Sequence, residues 1–467
     1  MKRASRTLAA SVAFAALGFA STEACTAGQP DDVGADTLDA GADTSARPRR
    51  DSGSAEVVDP PPLTAGPEGW ELFTDYDPAC GIYYPIDAKY LPDPIRWEPC
   101  SGFQNDHGLP GPDGMDCRMI ALDRDGGEPD KLSPLARAEV IGGRVRLLIG
   151  RHSGSRAHRL IADIDGPVHQ ALLLTGGCGI GGFKMRGGNV MYRMYDTDAT
   201  STHWPGGAIG GPVPSLRPRA YLPKGHLPST RSSQAYDVGA HYFIESIGGN
   251  DTVYSIQSGL PIGKIVRAPE DAGMIYGDYR IHDSDAFWVG DNGARTAIKV
   301  WNPADGVKTL VGWPGDNTRA AGGIAIDGVD MVWFEAVGRS GTSFARYDVW
   351  TAKYTTDASV VEATKRRLLT NNLNSTFEYF VVGCGYAAVK TNPIRPWGQS
   401  IGFLVIRLSD AMTWAVEAES LEQRNDVTLG KPLAITCDEI VVEAWRKNDP
   451  QVARIRLDSL GPGTPAE

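Results

Sequence analysis

Gly322-Gly-Ile-Ala-Ile-Asp-Gly-Val-Asp-Met-Val-Trp-Phe-Glu-Ala-Val-Gly-Arg-Ser-Gly-Thr-Ser-Phe-Ala-Arg-Tyr-Asp-Val-Trp350 reads as three short strands joined by two tight turns. Gly and Asp punctuate it where a chain reverses, and β-branched and aromatic residues fill the runs between. Weaker copies surround it. Ala434-Ile-Thr-Cys-Asp-Glu-Ile-Val-Val-Glu-Ala444 repeats its first turn and second strand, as do Tyr279-Arg-Ile-His-Asp-Ser-Asp-Ala-Phe-Trp-Val289 and Phe380-Val-Val-Gly-Cys-Gly-Tyr-Ala-Ala-Val389. Residues 296–301, 344–349, 402–408 and 452–457 supply the matching third strands. In Val452-Ala-Arg-Ile-Arg-Leu457 the apolar side chains alternate onto one face, as a half-buried strand requires.

Spacings of roughly 43 to 59 residues suit one four-stranded unit each. Residues 240–257 give a further unit, and 138–174 and 176–196 two looser ones, making seven. The 55 glycines and 32 prolines provide the turns that so many short strands need. The pattern resembles β-propeller repeats in general, over most of residues 138–457, without the signature of a named propeller family. It implies an all-β propeller of seven four-stranded blades. The last unit stops at its third strand, while Cys117-Arg-Met-Ile-Ala-Leu122 has no unit of its own. We therefore expect this N-terminal strand to complete the last blade and close the ring. The competing architecture is a β-sandwich or a pair of all-β domains. Residues 356–369, free of Gly and Pro, are the best helix candidate, although Val360-Val361 suits an outer strand equally.

The N-terminus divides into segments before any fold argument applies. Lys2, Arg3 and Arg6 precede an apolar run over residues 8–20 that is too short to stay in a bilayer as a spanning helix. With Ala24-Cys25 following, residues 1–24 resemble a bacterial lipoprotein signal, although Thr22 stands where such signals usually carry Leu. The resemblance implies lipid on Cys25. Parity agrees: setting Cys25 aside leaves Cys80, Cys100, Cys117, Cys178, Cys384 and Cys437, an even number suited to pairing in an oxidising compartment. Residues 25–68 follow as an acidic linker poor in large apolar residues, expected to be disordered. From Thr26 onward this linker has nine acids against Arg47, Arg49 and Arg50, a net charge of −6. Residues 69–467 form the propeller domain with an N-terminal extension. The localisation expected is an outer-membrane lipoprotein facing the periplasm or the cell surface, or else a secreted protein.

Of the total charge of −11, about −7 falls on the propeller domain, which repels nucleic acid. HExxH and CxxC patterns are absent from the sequence, and no cofactor, metal or catalytic residue is assigned. The oxygen-rich stretch 123–130 is read as a solvated turn rather than a calcium loop. Cys384 and Cys437 occupy corresponding turns of neighbouring repeats, with Cys178 close to the analogous place. Cys100–Cys117 is the favoured disulfide and Cys384–Cys437 the next. Residues 203–233 hold six prolines, four cations and no acid, and read as a long connection on the face opposite the cysteine turns. By the same blade counting Gly312-Trp-Pro-Gly-Asp316 and Pro396-Trp-Gly398 fall on that face, so Trp204, Arg217, Arg219, Trp313 and Trp397 are expected to share a surface suited to sugars or anionic groups, the alternative being Trp residues that pack loops onto the propeller. The function expected is a lipid-anchored, non-catalytic binding module for an envelope protein or glycan. The alternatives are a glycan hydrolase or lyase using carboxylates on that face, and a purely structural envelope protein.

Overall fold

A computed structural model of the chain describes residues within 66–465, several connecting segments between strands and residues 101–115 lying outside the description. It is the expected seven-bladed propeller, built almost wholly of antiparallel strands. Blade 1 comprises Arg137–Ile141, Arg144–Ser153, Arg156–Asp163 and Val168–Leu174, and is extended outward by Cys80–Pro85 and Trp70–Asp77. Blade 2 comprises Cys178–Arg186, Asn189–Asp196, Gly207–Pro212 and Arg219–Leu222. Blade 3 runs from Tyr236–Val238 through Tyr242–Ile247 and Asn250–Ser255 to Pro261–Ile265. Blade 4 runs from Ile275–His282 through Asp285–Asp291 and Thr296–Asn302 to Gly306–Val311. Blade 5 contains Arg319–Ile326, Asp330–Ser340, Ser343–Lys353 and Arg366–Asn371, and blade 6 contains Thr376–Gly383, Tyr386–Asn392, Gly402–Arg407 and Met412–Glu417. Blade 7 has three strands, Val427–Ile435, Glu439–Arg446 and Asp449–Arg456. Its outer edge pairs with Cys117–Ile120, with Met119 opposite Ala453 and Cys117 opposite Ile455.

Each first strand packs beside the first strand of the next blade, and that of blade 7 meets that of blade 1. Because both faces of a blade are covered, its inner strands read as unbroken apolar runs rather than as alternation. In blade 5, Val332, Phe334 and Ala336 point toward blade 6, while Met331 and Trp333 point toward blade 4. Residues 356–369 hold both of the structures weighed for them. Asp357 caps a helix at Ala358–Thr364 by accepting from Ser359 N at 2.8 Å, and the outer strand Arg366–Asn371 follows.

The expected long connection over residues 203–233 is corrected by two strands inside it. Gly207–Pro212 and Arg219–Leu222 are the third and fourth strands of blade 2. Three glycines in Gly207-Ala-Ile-Gly-Gly-Pro212 hide the strand, since they remove the side chains whose alternation would reveal it. Cys178 is also corrected. It opens the first strand of blade 2, whereas the turn at that strand's far end is Gly187-Gly188. The stretch 123–130 contains a small hairpin, Arg124–Asp125 against Glu128–Pro129.

In a four-stranded meander the turns after the first and third strands lie at one end, here called the turn face. The opposite end, the loop face, carries the turns after the second strand and the links between blades. Named bonds cross the seams between blades near the turn face. The Gly187 amide of blade 2 donates to Glu139 of blade 1. The Asn189 side chain donates to the Gly239 carbonyl of blade 3 at 2.8 Å. Ile281 N of blade 4 donates to Asp237 of blade 3 at 2.8 Å, and the Tyr354 hydroxyl of blade 5 donates to Asp285 of blade 4 at 2.7 Å. A disulfide joins Cys384 of blade 6 to Cys437 of blade 7, and Arg454 of blade 7 donates to Asp165 of blade 1 at 2.8 Å. Gly187 cannot be replaced in this arrangement. Its φ is +61°, and a Cβ there would lie 2.4 Å from Ala240 N.

The Glu139 latch makes stability depend on pH. Burial pushes its carboxyl up to about 7, against the opposing pull of Arg186 and of the Gly187 and Gly188 amides. Between the unfolded value of 4.5 and about 7 the folded chain holds a proton that the unfolded chain has released. Stability therefore falls as pH rises through that window, by at most about 3 kcal/mol for this group. Glu139→Gln keeps a carbonyl to accept the amides and removes the titration. Denaturation midpoints at pH 5 and pH 8 should differ less in the variant than in the parent; equal differences would show that Glu139 is not the titrating group.

Candidate functional site

Trp313 lies in the link from blade 4 to blade 5, on the loop face, half-buried against the core between those blades. The guanidinium of Arg319, at the start of blade 5, stacks on its ring with 4.3 Å to the centroid. Arg319 also donates to Glu335 Oε2 at 2.6 Å. Glu335 is fully buried and stands opposite Asp348 of the third strand. Asp348, also buried, holds Arg346 at 3.3 Å and Arg367 at 4.0 Å.

The periodicity of strands produces this set. Glu335 shares a face with Met331 and Trp333, and Arg346 and Asp348 share one with Trp350 and Ala352, so all turn toward blade 4. Burial raises the Glu335 carboxyl above its usual range, although the hydrogen bond and charge of Arg319 pull the other way. The Trp333 indole donates weakly to its other oxygen at 3.4 Å. The cations sit further out: the Arg319, Arg346 and Arg367 side chains are 30%, 42% and 50% exposed, against 0% and 1% for the two acids. The carboxylates therefore fix the arginines, and the surface offers guanidinium groups and one indole. Such a surface can bind planar anions through paired hydrogen bonds and carry a sugar ring against Trp313.

Of the five residues expected to form this surface, Trp313 is there. Trp204 and Trp397 lie outside the described residues, as does Cys25. Arg217 and Arg219 belong elsewhere, a correction that follows from the two strands of blade 2 found above. They sit at the turn after its third strand, on the turn face. Arg219 donates to the Gln257 carbonyl of blade 3 at 2.6 Å and lies 5.4 Å from the Tyr221 ring, which joins two blades. Both favoured disulfide pairs are at bonding distance, with Cα separations of 5.4 Å for Cys100–Cys117 and 5.1 Å for Cys384–Cys437. Cys80 opens the strand Cys80–Pro85.

The sequence reading missed Arg319, Glu335, Arg346, Asp348 and Arg367. A signal was there, because an acid interrupts the apolar run at the same place in Phe334-Glu335-Ala336 and Val442-Glu443-Ala444. Glu443 is likewise buried and paired to a cation of its blade's first strand, Lys431, at 3.0 Å. An inner-strand acid tied to a first-strand cation is thus shared by blades 5 and 7. In blade 5 it is extended by Asp348, two further arginines and Trp313.

No protein-family model matches the chain, and no curated protein matches it. Among solved structures, the β-propeller domain of the Trilobed protease from Pyrococcus furiosus is similar over 72% of this chain and 95% of that one, with 8% identity and a TM-score of 0.45. Apo AztD from Citrobacter koseri is similar over 76% and 96% respectively, with 14% identity and a TM-score of 0.40. A prolyl endopeptidase structure is similar over 62% of this chain, with 14% identity and a TM-score of 0.41. The match spans 41% of the length of that endopeptidase.

Proposed function

We propose that this protein is a non-catalytic binding propeller of the cell envelope, anchored through lipid on Cys25, and that it recognises an acidic glycan at the loop face of blade 5. The observation that carries this reading is the Trp313–Arg319–Glu335 stack with Arg346 beside it, Arg367 reaching the same Asp348 from nearer the turn face. Cations held by buried acids lose little freedom on binding, so an anionic ligand gains more from them than from mobile surface lysines. The domain is acidic overall, which makes a cationic patch of this kind distinctive. The disulfides are compatible with export, and among the described residues no helix is long and apolar enough to cross a membrane. Glu335 and Asp348 would be the acid pair of a hydrolase on this face. Their burial behind the arginines favours binding over hydrolysis, since a catalytic carboxylate must touch its substrate.

The test is retention on immobilised polyuronate against a neutral polysaccharide, using protein extracted from cells labelled with fatty acid. Trp313→Ala should weaken polyuronate binding by about 30-fold, the effect expected of an aromatic anchor. Label should follow the protein and disappear in Cys25→Ser. Equal retention on the neutral matrix, or an unaffected Trp313→Ala, would remove the glycan reading. An unlabelled parent protein would remove the anchor.

A further inference from the structure

The turn face contains a second candidate, separate from the Trp313 surface. At the seam between blades 5 and 6 it opens into a cleft of about 590 Å³. Asp330, Lys353 and Arg366 line it from blade 5, and Gly385 and Ser409 from the turns of blade 6. Arg366 shares its face of the strand with Leu368, whose side chain packs on blade 6, so the exposed guanidinium belongs to this side. Among the described residues Arg366 has no ion-pair partner. Lys353 and Asp330 satisfy one another at 2.8 Å, and Arg407, which also lines the cleft, is held by Asp410 at 2.6 Å, leaving the cleft with one uncompensated positive charge.

We infer that this cleft binds a small sugar carrying a single carboxylate or phosphate, and that the ligand bridges blades 5 and 6. The volume lies within the ordinary range for small-molecule sites. Arg366 supplies a fork of donors for the anionic group. The Asp330–Lys353 pair keeps spare lone pairs and N–H donors, which suit hydroxyls and leave no free carboxylate for a ligand ammonium. Tyr386 also borders the cleft, yet its ring packs beside Trp414 at 6.3 Å, on the side facing blade 7. The site therefore offers hydrogen bonds rather than a stacking platform, and an aromatic ligand such as a nucleotide fits it poorly. Elsewhere on this face a side chain or disulfide links one blade to the next. A bound ligand would add such a link between Arg366 and the turns of blade 6, coupling occupancy to the integrity of the ring.

Thermal unfolding of the full chain with millimolar glucuronate, glucose phosphate, glucose or inorganic phosphate tests this. Glucuronate or glucose phosphate should raise the midpoint by about 2 °C, and whichever does so identifies the anionic group. Glucose and inorganic phosphate should leave it unchanged. Arg366→Gln should unfold at the parent midpoint without ligand and show no rise with it, whereas Trp313→Ala should respond as the parent does. The inference is overturned by no rise with either acidic sugar, by an equal rise with glucose or inorganic phosphate, or by an equal rise in Arg366→Gln.

Discussion

Replacing Cys384 and Cys437 together with serine lowers stability by about 4 kcal/mol, the loss expected when a bond closing a loop of this length is removed. The two residues are separated by 53 positions and join the first-to-second-strand turns of adjacent blades. Constraint of the unfolded chain provides most of the effect, since a longer loop has more entropy to lose on closure. The Cys100–Cys117 bond, separated by 17 positions, should contribute about 3 kcal/mol by the same reasoning. It fastens Cys117–Ile120, which pairs with the edge of blade 7, to the neighbouring strand Trp97–Pro99. Denaturant midpoints measured without reductant should therefore fall further for the Cys384/Cys437 double variant than for the Cys100/Cys117 one. If the first pair can be removed without any shift, the bond does not form in the mature protein. The inter-blade seam would then keep the apolar packing around Ile435 and Ile440.

The contrast between blades 2 and 5 shows what the sequence made legible. Blade 5 announces itself because its turns use Asp-Gly and Ser-Gly and its strands are dense in Val, Trp and Phe. Blade 2 places glycine inside its third strand and proline at that strand's end, so local composition argued for a loop against the hydrogen-bonded ladder that forms. That error carried a consequence. The turn after a third strand and the link after a fourth lie at opposite ends of a meander, so two unseen strands moved Arg217 and Arg219 to the wrong face. Trp313 was placed correctly because both neighbouring blades were counted correctly. The arginine cluster stayed hidden for a different reason. Glu335, Arg346 and Asp348 stand in the very stretch that reveals the repeat, but spacing alone cannot distinguish a buried acid from a solvated one. Burial becomes visible only when blade 4 covers that face of the strand.

Arg319→Ala should destabilise the protein more than Glu335→Gln, by about 3 kcal/mol against about 1 kcal/mol. The asymmetry follows from which partner each change leaves behind. Without Arg319, the carboxylate of Glu335 remains fully buried beside Asp348, with the weak Trp333 hydrogen bond as compensation. Without the charge on Glu335, the guanidinium keeps its place on Trp313, and its 30% exposure lets water hydrate it. Titration sharpens the test. Burial already raises the Glu335 carboxyl, and removal of Arg319 takes away the hydrogen bond and charge that oppose it, so the value rises further. The folded variant then holds its proton to higher pH than the unfolded chain, and stability falls as pH rises through that window. The penalty of Arg319→Ala should therefore be small near pH 5 and largest near pH 8, while that of Glu335→Gln should show no such growth. Denaturation of both variants across this range measures the two slopes. A flat Arg319→Ala profile would mean that Glu335 finds water when its partner is removed, and the idea that buried acids hold the arginines in place for a ligand would lose its physical basis. If the slope appears, Arg319→Ala should also abolish polyuronate binding, whereas Glu335→Gln, which keeps the guanidinium but loosens it, should weaken binding only in part.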